Sequence, residues 1–336
     1  MNGGKAVNKK VQMLRALAIT AVIIIHTAPG PAAGLFIRPF ANFAVGMFIF
    51  LSGYLTHEEK VRPLKSFYLR RCTRVLPPYL IWSAVCLTVY GTWRQAPRLL
   101  LTFQTDQIYY YFAVYIQLVL LTPLIIKLAK SKASWTGWLI SPVSIFLLRY
   151  LLPHLQIPID FPWYTNNFAV WFSFYYFGLM CGNDFFGRTP SFFRFEQKKG
   201  KIIGLVTGSL LLSFAEGMFW WYHSYNESKA LSQVCFGSLI YGMAVMAAAY
   251  FWLKKPAPAE TSPAKQKLQN AVCLLGDCSF GIYLIHTLVA RLFWLMSNRL
   301  SGMFPLITII VLIVSFAITA AAHELLPKKI SRILGF

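Results

Sequence analysis

Charge is scarce in this chain. Only 13% of its 336 residues are charged, and Asp and Glu together number 11, whereas soluble domains carry about 25% charged residues. That scarcity argues against an ordinary soluble domain. Motifs that carry chemistry are scarce too. No Gly-rich phosphate loop, nucleophile elbow or metal-spaced His/Asp cluster occurs, so no metal is expected. The six cysteines (Cys72, Cys86, Cys181, Cys235, Cys273 and Cys278) form no C-x-x-C pair, so neither a zinc knuckle nor a disulfide framework is indicated.

What is present in quantity is apolar: 57% of the residues are hydrophobic. The expected fold class is all-α, a polytopic membrane helical bundle forming a single domain. The length suits roughly ten spans of about 20 residues. They are expected at 11–28, 36–56, 75–91, 108–126, 135–152, 165–185, 202–222, 231–253, 271–296 and 304–325. The first could pass for a secretory signal, but its apolar run is long, is interrupted by His26 and heads a polytopic array. It reads as an uncleaved span.

The net charge of +21 would fit a nucleic-acid binder, but its placement tells otherwise. Basic residues gather in alternate connections: Lys5 to Lys10, Lys60 to Arg74, Lys127 to Lys132, Arg188 to Lys201, Lys254 to Lys267 and Lys328 to Arg332. The other loops hold only Arg38, Arg94, Arg98, Lys229 and Arg299. By the positive-inside bias both termini face the cytoplasm. No nucleic-acid partner is needed.

Two connections are informative. KKPAPAETSPAKQK (254–267) has no apolar periodicity and reads as a flexible cytoplasmic linker. In HEEKVRPLKSFYLRRCTR (57–74) Leu64, Phe67, Tyr68 and Leu69 interleave with cations, a pattern suited to lying along a membrane surface. Aromatic clusters at 161–172 and 219–225 fit interfacial belts, with some rings left to stack on a sugar.

Ionisable groups at membrane depth are costly and mark functional sites. Arg15 and His26 are eleven residues apart in the first span, so on a helix they share one face, roughly 16 Å apart along the axis. His286 and Glu216 lie about as far into their own inside-to-outside spans as His26 does, roughly 21–23 Å, which points to a shared polar chamber. Arg71 and Arg74, three apart at the entry to the third span, share a face and suit a phosphorylated ligand, because each guanidinium can bond phosphate oxygens bidentately. Taken alone, the pair also fits ordinary positive-inside anchoring.

Four stretches in order carry a family likeness: LRALAITAVIIIH, GMFIFLSGYL (46–55), RCTRVLPPY (71–79) and GDCSFGIYLIH (276–286). The chain resembles the membrane acyltransferases of the third type, which O-acylate cell-envelope glycans, chiefly in bacteria. Met47 stands where that family more usually has an aromatic, and the extracellular hydrolase-like domain fused to some members has no counterpart here. The likeness implies a multi-pass bacterial cell-membrane enzyme that takes acetyl-CoA or another short acyl-CoA as donor from the cytoplasm and acylates a glycan on the outer side. It implies Arg71 and Arg74 on the donor phosphates, Arg15 near the donor's entry and His26 as general base. Ser52, Tyr54 and Tyr283 are candidates to hold the thioester or position substrate. Glu216 and His286 are further catalytic candidates, with Glu216 expected to orient a histidine. The rival reading is a transporter of glycans or lipid-linked sugars, which intramembrane charges fit equally. The other large membrane O-acyltransferase family also uses an intramembrane His, but its motifs are not those of this chain.

Overall fold

The computed structural model describes residues 9–188, 199–224, 226–255, 262–296 and 303–336. Lys5, Arg194, Lys198, Tyr225, residues 256–261 and Arg299 lie outside them. Among the described residues the regular structure is entirely helical. The main helices are α1 (Lys9–Thr27), α2 (Pro31–Ala41), α3 (Ala44–Tyr54), α4 (Leu64–Tyr90), α5 (Tyr110–Lys130), α6 (Ile140–Ile145), α7 (Phe168–Gly182), α8 (Lys199–Ser224), α9 (Phe236–Lys254), α10 (Pro263–Asp277), α11 (Ser279–Met296), α12 (Leu306–Leu325) and α13 (Lys328–Leu334).

Eight stretches among the described residues are long and apolar enough to cross a membrane: Lys9–Thr27, Pro31–Tyr54, Leu64–Tyr90, Gln107–Lys130, Gly200–His223, Phe236–Lys254, Ser279–Met296 and Leu306–Leu325. The expected spans at 135–152 and 165–185 have no such helix. The first is interrupted, since α6 passes into a π-helix at Phe146–Leu151. The second is α7, whose 15 residues extend about 22 Å, short of the roughly 30 Å hydrocarbon core.

Local chemistry explains several boundaries. α4 begins well before the expected entry at 75 and runs unbroken through Pro77 and Pro78, so residues 64–74 are continuous with the helix of that candidate span. It stops at Gly91, whose φ of 67° is the left-handed conformation that ends helices and favours glycine. The Lys- and Pro-rich connection becomes helical at Pro263, the first residue of α10, a position proline tolerates because no N–H bond is lost there. The expected span 271–296 is divided at Cys278 between α10 and α11.

At the centre, α3 packs on α7, and α1 lies against α3, α10 and α11. The α3–α7 approach is backbone to backbone. A Cβ on Gly53 would run into the Tyr175 carbonyl oxygen, and one on Gly178 into that of Phe50. The glycine of the Ser-Gly-Tyr stretch is therefore required by packing, and it fixes the position of Ser52 beside it.

Candidate active site

Three arginines meet in one cavity. Arg15 of α1 and Arg71 and Arg74 of α4 line a space of about 350 Å³, together with Val22, Ser52, Tyr111, Tyr115, Asp277, Phe280 and Tyr283 among others. The eleven-residue face of α1 thus turns inward: Arg15 and Val22 both border this arginine cavity. Arg71 is aimed by a short relay, in which its Nη2 donates to Thr56 Oγ1 at 2.8 Å and Thr56 donates to the Ser52 carbonyl at 2.7 Å. Arg15 donates to Gln12 Oε1 at 3.3 Å. Asp277 is the last residue of α10, one turn residue ahead of α11. Burial lifts its carboxyl above the usual carboxylate range, and the charges of Arg15 and His323 oppose that. A smaller basic notch of about 190 Å³, lined by His57, Lys60, Arg70 and Arg71 among others, adjoins the cavity at Leu55 and Arg71. Together these surfaces offer cations for a polyanion beside apolar and aromatic walls.

His26 and His286 come together, with ring centroids 5.3 Å apart and planes tilted by 57°. Their surroundings differ. His286 is fully buried. Its Nδ1 lies 2.9 Å from the Tyr283 carbonyl oxygen and 3.2 Å from that of Ile282. A carbonyl only accepts, so Nδ1 carries the proton and Nε2 keeps a lone pair. That Nε2 is buried and has no hydrogen-bond partner. His26 borders a second space of about 330 Å³ lined by Tyr90, Asp106, Gln107, Thr287, Ala290, Arg291 and Trp294.

The two cavities lie one helical turn apart. On α1 the lining passes from Val22 to His26, and on α11 from Tyr283 to Thr287, each a step of about 6 Å. Along α11 His286 lies between these two lining residues and packs on His26, so the level of the histidine pair marks the partition between the cavities.

Other candidates from the sequence are placed differently. Ser52 faces the arginine cavity, and its Oγ is buried without a partner. Tyr283 also lines it, but its hydroxyl donates to the Ile108 carbonyl and is already committed. Tyr54 stacks on Phe50 at 6.1 Å and is not among the residues bordering either cavity. Glu216 is bonded elsewhere: it accepts from the Tyr150 hydroxyl and the Gly237 N–H. Those bonds tie α8 to the π-helix and to α9, and no described bond joins Glu216 to either histidine.

Asp106 did not stand out in the sequence. It is buried and accepts from Tyr90 Oη at 2.6 Å, Thr287 Oγ1 at 3.1 Å and the Ile108 N–H at 3.2 Å. Its one local signal is its place as N-cap of the short turn Gln107–Tyr109 ahead of α5. The nearness of residues 106 and 287 is tertiary and leaves no trace in spacing.

Residues 8–323 match a family model described as an acyltransferase domain, of the acyltransferase 3 type. No curated protein and no solved structure matches the chain.

Proposed function

This chain belongs to the acyltransferase 3 family, and from that premise we propose that it moves an acyl group, acetyl foremost, from cytoplasmic acyl-CoA to a hydroxyl of a cell-envelope or exported glycan. Membership makes it an O-acyltransferase. The proposal concerns donor, acceptor, sides and residues.

In this reading both termini face the cytoplasm, and the two shorter helical stretches at 140–154 and 168–182 complete ten crossings of the bacterial cell membrane. The alternation of basic connections supports that orientation. The arginine cavity then opens toward the cytoplasm and takes the donor. Arg71, Arg74 and the adjoining basic notch hold its phosphates, since guanidinium groups bond phosphate oxygens in pairs. Arg15 flanks the arm that carries the thioester toward the partition. The glycan enters the histidine cavity from the outer side.

At the partition the acceptor hydroxyl attacks the thioester carbonyl carbon. A C–O bond forms and the C–S bond breaks. His26 takes the hydroxyl proton and passes it to the departing thiolate, so the products are acylated glycan and free CoA. General-base assistance of this kind contributes about 10²–10⁴-fold. The His286 ring packs 5.3 Å from that of His26, and its Nε2 lone pair, unpartnered here, takes a hydrogen bond from the His26 ring once substrate is bound. Ser52, with a hydroxyl hydrogen to give, donates to the thioester oxygen as charge develops on it.

One observation supports the reading: the two imidazoles pack 5.3 Å apart, with His26 bordering a cavity that lies one helical turn along α1 and α11 from the one lined by three arginines. The test uses purified protein, acetyl-labelled acetyl-CoA and total envelope glycan. Label should pass to the glycan as CoA is released, and His26→Ala should abolish transfer while acetyl-CoA still binds. Glycan moving across vesicle membranes with no thioester consumed would overturn the reading in favour of a transporter.

A further inference from the structure

The carboxylate of Asp106 is more than its local role requires. As N-cap it needs one oxygen to accept from the Ile108 N–H, and an asparagine serves that purpose as well as an aspartate. Yet Asp106 is 5% exposed, and among the described residues no ion pair involves it. Burying an ionised carboxylate without a cation is unfavourable unless hydrogen bonds fill its acceptor sites. Here Tyr90 and Thr287 both donate to Oδ2, and Ile108 donates to Oδ1. Cys86 Sγ, 4.0 Å away, also donates to Oδ2. Each oxygen provides about two acceptor sites, so Oδ2 is filled while Oδ1, with one donor, has room for one more. That residue borders the same cavity as His26.

The rest of the lining fits the same kind of guest. Gln107 offers an amide, Trp294 a ring face, and Arg291 a guanidinium lying 4.7 Å over the Tyr90 ring. A space of about 330 Å³ is at the small end of ligand pockets, which suits one sugar unit of a longer chain.

We infer that Asp106 is the residue that reads the acceptor, taking a hydrogen bond from a hydroxyl other than the one His26 deprotonates. The acceptor unit is therefore a polyol ring with at least two free hydroxyls, gripped by one while the other reacts. This rests on the acyl-transfer reading above. Tyr90 and Thr287 act as positioning residues that hold the carboxylate toward the cavity, and no sequence motif assigns any of the three.

The experiment measures initial rates with purified wild-type and Asp106→Asn protein, varying total envelope glycan at fixed acetyl-CoA and then the reverse. Asp106→Asn keeps an oxygen for the cap and removes the charge. A hydrogen bond to a charged group is worth about ten- to a hundredfold, so the apparent KM for glycan should rise by about that factor. The KM for acetyl-CoA should stay at the wild-type value, while the thermal midpoint falls modestly, because the new amide faces the Tyr90 and Thr287 hydroxyls. An unchanged glycan KM would overturn the inference and leave acyl transfer standing. So would a fall in thermal midpoint with both KM values altered together, because that marks Asp106 as a pin between helices. To guard against poor folding, Thr287→Val is measured in parallel and should raise the glycan KM in the same direction with the acetyl-CoA KM unchanged. Wild-type protein that acylates nothing would remove the underlying reading and this inference with it.

Discussion

His26 and His286 touch, yet their rings have different surroundings. The centroids are 5.3 Å apart, but only His26 is among the residues that line a cavity, while His286 is sealed in the bundle with Nδ1 turned to its own helix's carbonyls. Its remaining nitrogen, Nε2, is an acceptor by elimination. On the proposed reading the pair divides into a ring that meets substrate and a ring that serves it.

That division predicts an order of effects. His286→Leu removes the lone pair and should slow turnover by about ten- to a hundredfold, the worth of one orienting hydrogen bond of about 1–3 kcal/mol. His286→Gln places an amide oxygen where Nε2 stood and should recover part of the loss. The KM for acetyl-CoA should be unchanged in both. Steady-state kinetics on the two variants decides the point, and a leucine variant as active as wild type would remove His286 from the mechanism.

On the same reading the arginines act on the other substrate. Arg71 is held by Thr56 at 2.8 Å at the place where the cavity meets the basic notch. Arg71→Ala should raise the KM for acetyl-CoA about tenfold or more, from the loss of charge-assisted bonds to phosphate. Acetyl-pantetheine lacks the nucleotide, so wild type and variant should use it equally. If the shorter donor suffers as much as the full one, Arg71 holds something other than phosphate.

How far these assignments could be reached from sequence depends on distance along the chain. Arg15 and His26 share a helix, so periodicity alone predicts their common face, and Arg71 and Arg74 need only a spacing of three. The meeting of His26 with His286 was legible only as equal depth, because depth follows from residue count within each span. Equal depth does not fix azimuth, which is why Glu216, at the same expected level, has its bonds with Tyr150 and Gly237. Asp106 was hidden for a simpler reason: it lies in a loop, where no period applies. The second of the two missing long spans reflects packing. α7 is almost wholly buried, and a helix covered by its neighbours need not match the full thickness of the bilayer.

Ser52 offers a separation of stability from catalysis. Its Oγ is buried beside the arginine cavity with no partner, and an unsatisfied buried hydroxyl adds nothing to the fold. Ser52→Ala should therefore melt at or above the wild-type temperature. If the hydroxyl bonds the thioester oxygen in the transition state, kcat should nonetheless fall, by about 10²-fold on the scale of oxyanion donors. A variant equally stable and equally fast would leave the hydroxyl without a role.

Glu216 should behave in the opposite way. Its two oxygens take the Tyr150 hydroxyl and the Gly237 N–H, and Lys229 lies 5.6 Å over the ring of the same Tyr150. The group ties α8 to its neighbours and has no described bond to the histidines. Glu216→Gln replaces one acceptor by a donor facing a donor, which should cost about 1–3 kcal/mol and lower the thermal midpoint in detergent. The protein that remains folded should transfer acetyl groups at a rate near wild type. A sharp fall in kcat at an unchanged melting temperature would instead show that this carboxylate reaches the histidine pair during turnover, and the expectation of a charge behind His26 would return.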